Sequence, residues 1–273
     1  MNKIQKNQKK ESEWFEQWEM FEDNELFLFE DWIAPLTLDD FLGKQVLEFG
    51  CGGGQHTRFV APYCKSITAI DLNTAEIARE HTKNLHNVQI LEGDIATIDL
   101  GRQFDIVFCI GVIHHTDNPD VTFMNLFRHA KPGGKIVVWT YSAEGNEIMR
   151  FIVEPIRKAL LRNVNRRTIY QISKLITLAL YPIVHTIYSL SIFSFLPYYE
   201  YFENFRKLSF KRNLLNIFDK LNAPQTHFTT KNKCYEWFNP LRFKGGSISI
   251  KRYRGVSYSL LGEKLDSEQK YVK

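Results

Sequence analysis

The four cysteines of this 273-residue chain, Cys51, Cys64, Cys109 and Cys234, are widely separated and form no CxxC pair. That excludes the common zinc spacings and argues against a disulfide frame, so reduced, buried thiols in a cytosolic compartment are expected. No metal site is expected either. The N-terminus, MNKIQKNQKKESEW, lacks the apolar core of a secretory signal. The glycine-rich stretch "VLEFGCGGG" at 46–54 lacks the lysine of an ATP or GTP P-loop. It also lacks the third glycine of a dinucleotide fingerprint, because Gly50-x-Gly52 would need a glycine where Gln55 stands. Internal repeats are absent, and no basic run exceeds three residues.

What is present fits one large core, or one core with an appended layer: 44% hydrophobic and 24% charged residues. The net charge of +4 conceals an asymmetry. Residues 1–145 hold 13 Lys+Arg and 22 Asp+Glu, whereas residues 146–273 hold 22 and 9. Two solvated faces of one fold account for this. The basic half could also face a membrane surface, a phosphorylated lipid or nucleic acid.

From Glu11 to Trp32 an acidic, aromatic stretch places Trp14, Phe15, Trp18 and Phe21 three and four residues apart, which predicts one helix with an apolar stripe. The first dozen residues read as a frayed tail. Apolar runs at 46–50, 67–71, 88–92, 104–110 and 135–141 alternate with helical spacing at 74–84 and 119–130, the latter opening on Pro119. Lys131-Pro132-Gly133-Gly134 reads as a turn before the fifth strand. Strands that are apolar throughout, alternating with helices, predict a parallel sheet covered on both faces. Residues 146–220 are helical and aromatic-rich. Within them 175–197 holds one ionisable group, His185, and is interrupted by Pro182. It reads as a cap of two helices meeting near Pro182 and buried on the main domain, with a monotopic membrane contact as the second reading. A helix at 231–239 and strands at 247–252 and 256–261 close the chain.

"VLEFGCGGG" resembles the E/DxGxGxG motif of class I S-adenosylmethionine-dependent methyltransferases. The resemblance continues in order: Asp71 ends the second strand, Asp94 follows the third in "EGDI", "FDIVFCIGVIHH" is similar to the fourth strand and its exit, and "KPGGKIVVW" to the turn and fifth strand. It covers about residues 40–142 and implies an α/β fold. That fold is a doubly wound, mostly parallel seven-strand sheet, its last strand antiparallel, with a helical cap inserted after the fifth strand. The implied organisation is an N-terminal tail and aromatic helix (1–35), an S-adenosylmethionine-binding core (36–145), the cap (146–225), a C-terminal helix and final strands (226–264) and a tail (265–273). The implied cofactor contacts are Glu48, Gly50, Cys51, Gly52, Gln55, Asp71, Leu72, Asp94, Ile95, Ile110 and Gly111. Asp71 would accept from the ribose hydroxyls and Asp94 from the adenine amino group, with Leu72 and Ile95 on the ring. Bare backbone at Gly50–Gly52 would lie along the methionyl part, and Glu48 would face its ammonium.

His114 and His115 follow the fourth strand and are the candidate bases, suited to proton transfer near neutrality. Neighbours in an extended chain point to opposite faces, so one of the two would face the pocket. A backbone-bracing role for His115 is the competing reading. "EGN" at 144–146 and Tyr198, Tyr199 and Tyr201 are expected beside the acceptor, and His227 is expected to be exposed or in the core. The acceptor is expected to be a small molecule or one linked to lipid or glycan, methylated on oxygen or, as the second choice, on nitrogen or carbon. Nucleic acid is disfavoured, since the chain lacks the Asn/Asp-Pro-Pro-Tyr/Phe motif of amino-methylating relatives. The alternatives are a nicotinamide-dependent oxidoreductase and a non-catalytic membrane-surface protein retaining the fold. The expected location is the cytoplasm, with peripheral membrane contact as an option.

Overall fold

The computed structural model describes residues 14–22, 25–161 and 163–266. The expected N-terminal tail and residues 267–273 lie outside them. Five strands run in parallel: β1 (Gln45–Phe49), β2 (Ser66–Asp71), β3 (Val88–Glu92), β4 (Phe104–Ile110) and β5 (Ala130–Tyr141). β6 (Ser249–Tyr253) and β7 (Ser257–Glu263) form a hairpin whose second strand pairs antiparallel with β5. The sheet order is β3-β2-β1-β4-β5-β7-β6.

Alternation along the central strands feeds two cores, as the pleat requires. Val107, Cys109, Ile136 and Val138 face the layer of α5 (Pro119–His129) and α10 (Lys231–Trp237), where Phe123, Trp237 and Phe238 pack. Ile106, Phe108, Val137 and Trp139 face α2 (Leu26–Ile33) and α3 (Gln55–Val60). Each fully buried Phe of these layers is worth about 1.5–3 kcal/mol. Lys131–Gly134 loop out of the β4–β5 ladder, since Phe104 pairs with Ala130 and Ile106 with Lys135. The expected turn is thus a bulge inside β5.

The aromatic stretch at the N-terminus is not one helix. α1 (14–20) ends before Phe21, which is buried in a third cluster with Ile169, Leu214, Leu215 and Phe218, while Phe29 and Ile33 of α2 belong to the sheet. Two halves of the apolar pattern serve two different cores, and one straight helix could not reach both. The third cluster belongs to the cap. It comprises α6 (Glu154–Ile156) within π-helical turns Met149–Val153 and Arg157–Leu161, α7 (Arg166–Thr186), α8 (Tyr199–Lys207) and α9 (Phe210–Asn222). α7 runs through Pro182 rather than breaking there. Its outer face is also not buried: Leu175 is 67% exposed and Leu178 51%.

Candidate functional site

A cavity of about 280 Å³ opens where β1, β2, β4 and β5 end, with α1 and α9 against it. Open parallel sheets bind ligands along this edge. One end is built from the loop after β1. Gly50, Gly52 and Gly54 hold φ of +79°, +53° and +80°, left-handed values that glycine adopts at little cost. Close approach excludes side chains there as well. A Cβ on Gly50 would lie 2.5 Å from Val112 Cγ1, and one on Gly52 2.8 Å from the Trp18 indole. The bare loop is therefore matched to the protein's own side chains, and α1 lies over it through Trp18.

Asp71 ties this loop to β2. Its Oδ2 accepts from Gly52 N–H at 3.0 Å; its Oδ1 accepts from Asn73 N–H at 3.0 Å and Thr74 N–H at 3.2 Å. Burial raises its pKa, against the pull of these N–H donors. Thr74 precedes α4 (Ala75–Thr82) but does not cap it with its side chain; its hydroxyl donates to Gly52 O at 2.6 Å. Asp94, exposed on the far wall, uses Oδ1 to cap Ala96 N–H at 2.8 Å. Leu72, 43% exposed, and buried Ile95 line the same wall. Ile110 and Gly111 supply the floor where β4 ends.

Nine of the eleven expected contacts line the cavity; Glu48 and Cys51 do not. Glu48 is buried under α3, accepting from Thr57 Oγ1, and its Oε1 lies 3.6 Å from Nδ1 of His56, which does line the cavity. Cys51 turns into a small cluster with Ala69 and Ala78. Residues that the sequence did not mark as cofactor contacts complete this end. Trp32 and Trp139 pack with ring centroids 4.9 Å apart, and both indole N–H groups are buried with no hydrogen-bond partner among the described residues. Asn73 Oδ1 is likewise unpartnered. Buried orphan donors and acceptors lining one cavity call for a polar ligand.

At the other end, Ile113–His115 form a 3-10 turn, not an extended segment. His115 lines the cavity. Its Nδ1 lies 2.8 Å from Gln225 O, and Gln225 Nε2 donates back to His115 O at 3.0 Å. With Nδ1–H committed to a carbonyl, the neutral ring carries its lone pair on Nε2. Burial lowers its pKa below 6.5, partly opposed by Asp219. Trp14 packs against it, ring centroids 4.9 Å apart and planes tilted by 51°. His114 is buried away from the cavity, near Thr140 Oγ1 at 3.3 Å, and burial lowers its pKa further still. Only His115 remains a candidate base by position.

The acceptor side differs from expectation. Glu144 binds Lys231 N–H and the Tyr258 hydroxyl, and Asn146 donates to Ser142 O and Val256 O, so "EGN" braces the last strands. Tyr198, Tyr199 and Tyr201 do not line the main cavity. Its wall is α9, through Arg212, Leu215, Asn216 and Asp219, with Tyr141 and Gln17. Gln17 of α1 donates to Asp219 Oδ1 at 3.0 Å and accepts from Asn222 at 3.1 Å, pinning α1 to the cap. His227 is exposed.

The methyltransferase-domain family matches residues 47–138. Those residues are a methyltransferase domain. The chain superposes on an O-methyltransferase family protein from Burkholderia thailandensis with a TM-score of 0.51 at 12% identity, covering 88% of this chain and 56% of that one. That likeness extends the class I methyltransferase fold beyond the matched residues. The mitochondrial ubiquinone biosynthesis O-methyltransferase of Schizosaccharomyces pombe is 32% identical over 109 residues, 37% of this chain and 39% of the relative. The tRNA U34 carboxymethyltransferase of Methylococcus capsulatus is 34% identical over 143 residues, 48% of this chain and 41% of the relative. The chain thus spans well under half the length of these relatives.

Proposed function

We propose that the chain transfers a methyl group from S-adenosylmethionine to a hydroxyl of a small molecule held between His115 and α9. One observation carries this reading: a single cavity joins the glycine loop and strand-end acids at one end to a neutral histidine facing a polar wall at the other. The residues fit the donor. Asp71 retains a lone pair on Oδ2 for a ribose hydroxyl, and Asp94 Oδ2 is available to an adenine amino group. Leu72 and Ile95 offer apolar faces for the base. The orphan N–H groups of Trp32 and Trp139 suit the α-carboxylate, and His56 stands between the cavity and Glu48, relaying that acid's charge toward the ammonium. When bound, S-adenosylmethionine supplies an activated methyl group and a neutral leaving group.

The protein's own task is then alignment in a closed space and removal of one proton. α1 covers the cavity, held by Trp18 on the glycine loop and Gln17 on Asp219. His115 Nε2 takes the acceptor's proton while Gln225 fixes the ring through Nδ1–H. Aromatic faces from Trp14 and Tyr141 with polar groups from Arg212, Asn216 and Asp219 suit a hydroxylated ring. The ubiquinone-pathway O-methyltransferases among the relatives support oxygen as the target atom.

Calorimetry with S-adenosylhomocysteine tests the donor site, and transfer of radiolabelled methyl to catechol- and polyol-type acceptors tests the chemistry. A folded protein that takes up neither donor nor product refutes the proposal. Uptake of donor with transfer to tRNA only would refute the small-molecule acceptor.

A further inference from the structure

The cap has its apolar residues on the wrong side for a domain that meets only water. α7 buries Ile169, Ser173, Thr177 and Val184 against the rest of the protein. Two of these four are hydroxyl residues that satisfy themselves by donating to carbonyls one turn back, Ser173 to Ile169 O at 2.8 Å and Thr177 to Ser173 O at 2.7 Å. The large aliphatic residues of the same helix, Leu175, Ile176, Leu178 and Ile183, point outward. The 3-10 turns that follow, Ile187–Ser189 and Ser191–Phe193, continue this surface with Ile187, Leu190, Ile192 and Phe195, the last two 74% and 77% exposed. An apolar surface of this extent marks a contact site, because monomers in water rarely keep one.

Charge indicates what covers it. Residues 155–199 contain no Asp or Glu in 45 positions; Arg157 and Lys158 at their start pair with Glu154, and Arg166, Arg167 and Lys174 follow on α7. Arg167 and Lys174 are exposed at the N-terminal half of α7, next to the aliphatic half. Aliphatic side chains flanked by cations and free of anions match the interface of an anionic bilayer, where chains enter the acyl boundary and cations meet phosphates. No helix among the described residues is long and apolar enough to cross a membrane, so the contact is with one leaflet. A second copy of this chain would bring cationic flank against cationic flank, which disfavours it as the occupant.

We propose that the α7 face, Leu175 to Phe195, docks peripherally on an anionic lipid surface. α9 packs on the inner side of α7 and forms the acceptor wall, so docking would set the cavity close to the bilayer. This docking does not rest on the methyl-transfer reading, and either can fail alone.

Co-sedimentation of the full chain with phosphatidylglycerol and phosphatidylcholine vesicles tests it. Binding is expected to the anionic vesicles and to weaken several-fold between about 50 and 300 mM salt, as screening shortens the reach of the cations. The triple substitution Leu175→Glu, Leu178→Glu, Ile183→Glu should weaken binding at least about tenfold, since charges would replace the inserted aliphatic groups. Arg167→Glu with Lys174→Glu should weaken it and flatten the salt dependence. All five positions are exposed, so unchanged circular dichroism and S-adenosylhomocysteine uptake verify that the variants are folded. Three results would overturn the proposal: wild-type protein left in the supernatant at low salt, a triple variant that sediments like wild type, or a wild-type dimer that the triple variant abolishes.

Discussion

Asp71→Asn changes one oxygen to an amide nitrogen and tests how the site is built. The carboxylate accepts three backbone N–H bonds, from Gly52, Asn73 and Thr74. Bonds to a charged acceptor contribute about 1.5–3 kcal/mol each. The better rotamer keeps the amide oxygen toward Asn73 and Thr74, where two charged bonds become neutral ones. Its NH2 then meets Gly52 N–H, donor against donor, and a buried N–H is left unsatisfied at a further cost of about 1–3 kcal/mol. Removing the buried charge returns part of this loss, because desolvation outweighs the N–H donors and holds the Asp71 pKa up, so the net loss is about 1–3 kcal/mol. At roughly 2–4 °C per kcal/mol for a protein near this size, that is a fall in Tm of about 5 °C. The same residue is proposed to hold a ribose hydroxyl, and the Gly52 loop would shift with it. Affinity for S-adenosylhomocysteine should therefore fall at least about 30-fold, equivalent to about 2 kcal/mol. Differential scanning calorimetry gives the first number. Isothermal titration at 15 °C, below the melting range of the variant, gives the second. A variant that melts within 1 °C of wild type would refute the assigned hydrogen bonds. One that melts lower yet binds normally would refute the ribose contact alone.

His115→Ala should lower kcat about 100-fold or more while leaving S-adenosylhomocysteine affinity within a few-fold, and a parallel loss of both would make His115 a bracing residue only. Trp139→Phe and Trp32→Phe remove buried N–H groups that lack a partner without ligand; thermal melts of the free protein should hold steady or rise, while titration shows affinity for the amino-acid end of the donor reduced about tenfold. Acidification should destabilise the fold. His114 and His115 are depressed below 6.5 by burial, so the unfolded chain binds more protons in that window. Stability is full above pH 6.5 and falls with decreasing pH, by up to about 2.7 kcal/mol per pH unit for the pair; urea unfolding at pH 5.5 and 7.5 measures it, and His114→Gln should halve the slope. Gly50→Ala should cost about 2–5 kcal/mol in chemical unfolding, because a left-handed φ and a clash with Val112 add together.

Much of the site was legible because its parts are local to strand ends. Asp71, Asp94 and the Gly50–Gly52 turn follow apolar runs whose direction is fixed by the alternating strand and helix pattern, and a parallel sheet must then bring those ends to one edge. Glu48 does not line the cavity for a long-range reason: in the pleat it points toward α3, where Thr57 Oγ1 donates to one oxygen and His56 Nδ1 stands 3.6 Å from the other. The histidine pair was resolved by the 3-10 turn at Ile113–His115, which hydrophobic periodicity does not reveal.

The amino-acid sequence alone determined the sheet, the order of its motifs and the presence of a cationic helical cap, because hydrophobic period and glycine placement act over a few residues at a time. Only the tertiary structure decided which cap helix walls the cavity, that Gln17 and Trp18 fold over it, that Trp32 and Trp139 meet, and that α7 turns its aliphatic side outward. Each of those is a contact between segments tens to about 200 residues apart, set by the packing of whole layers. A helical repeat shows which residues share a face but not which way that face is turned.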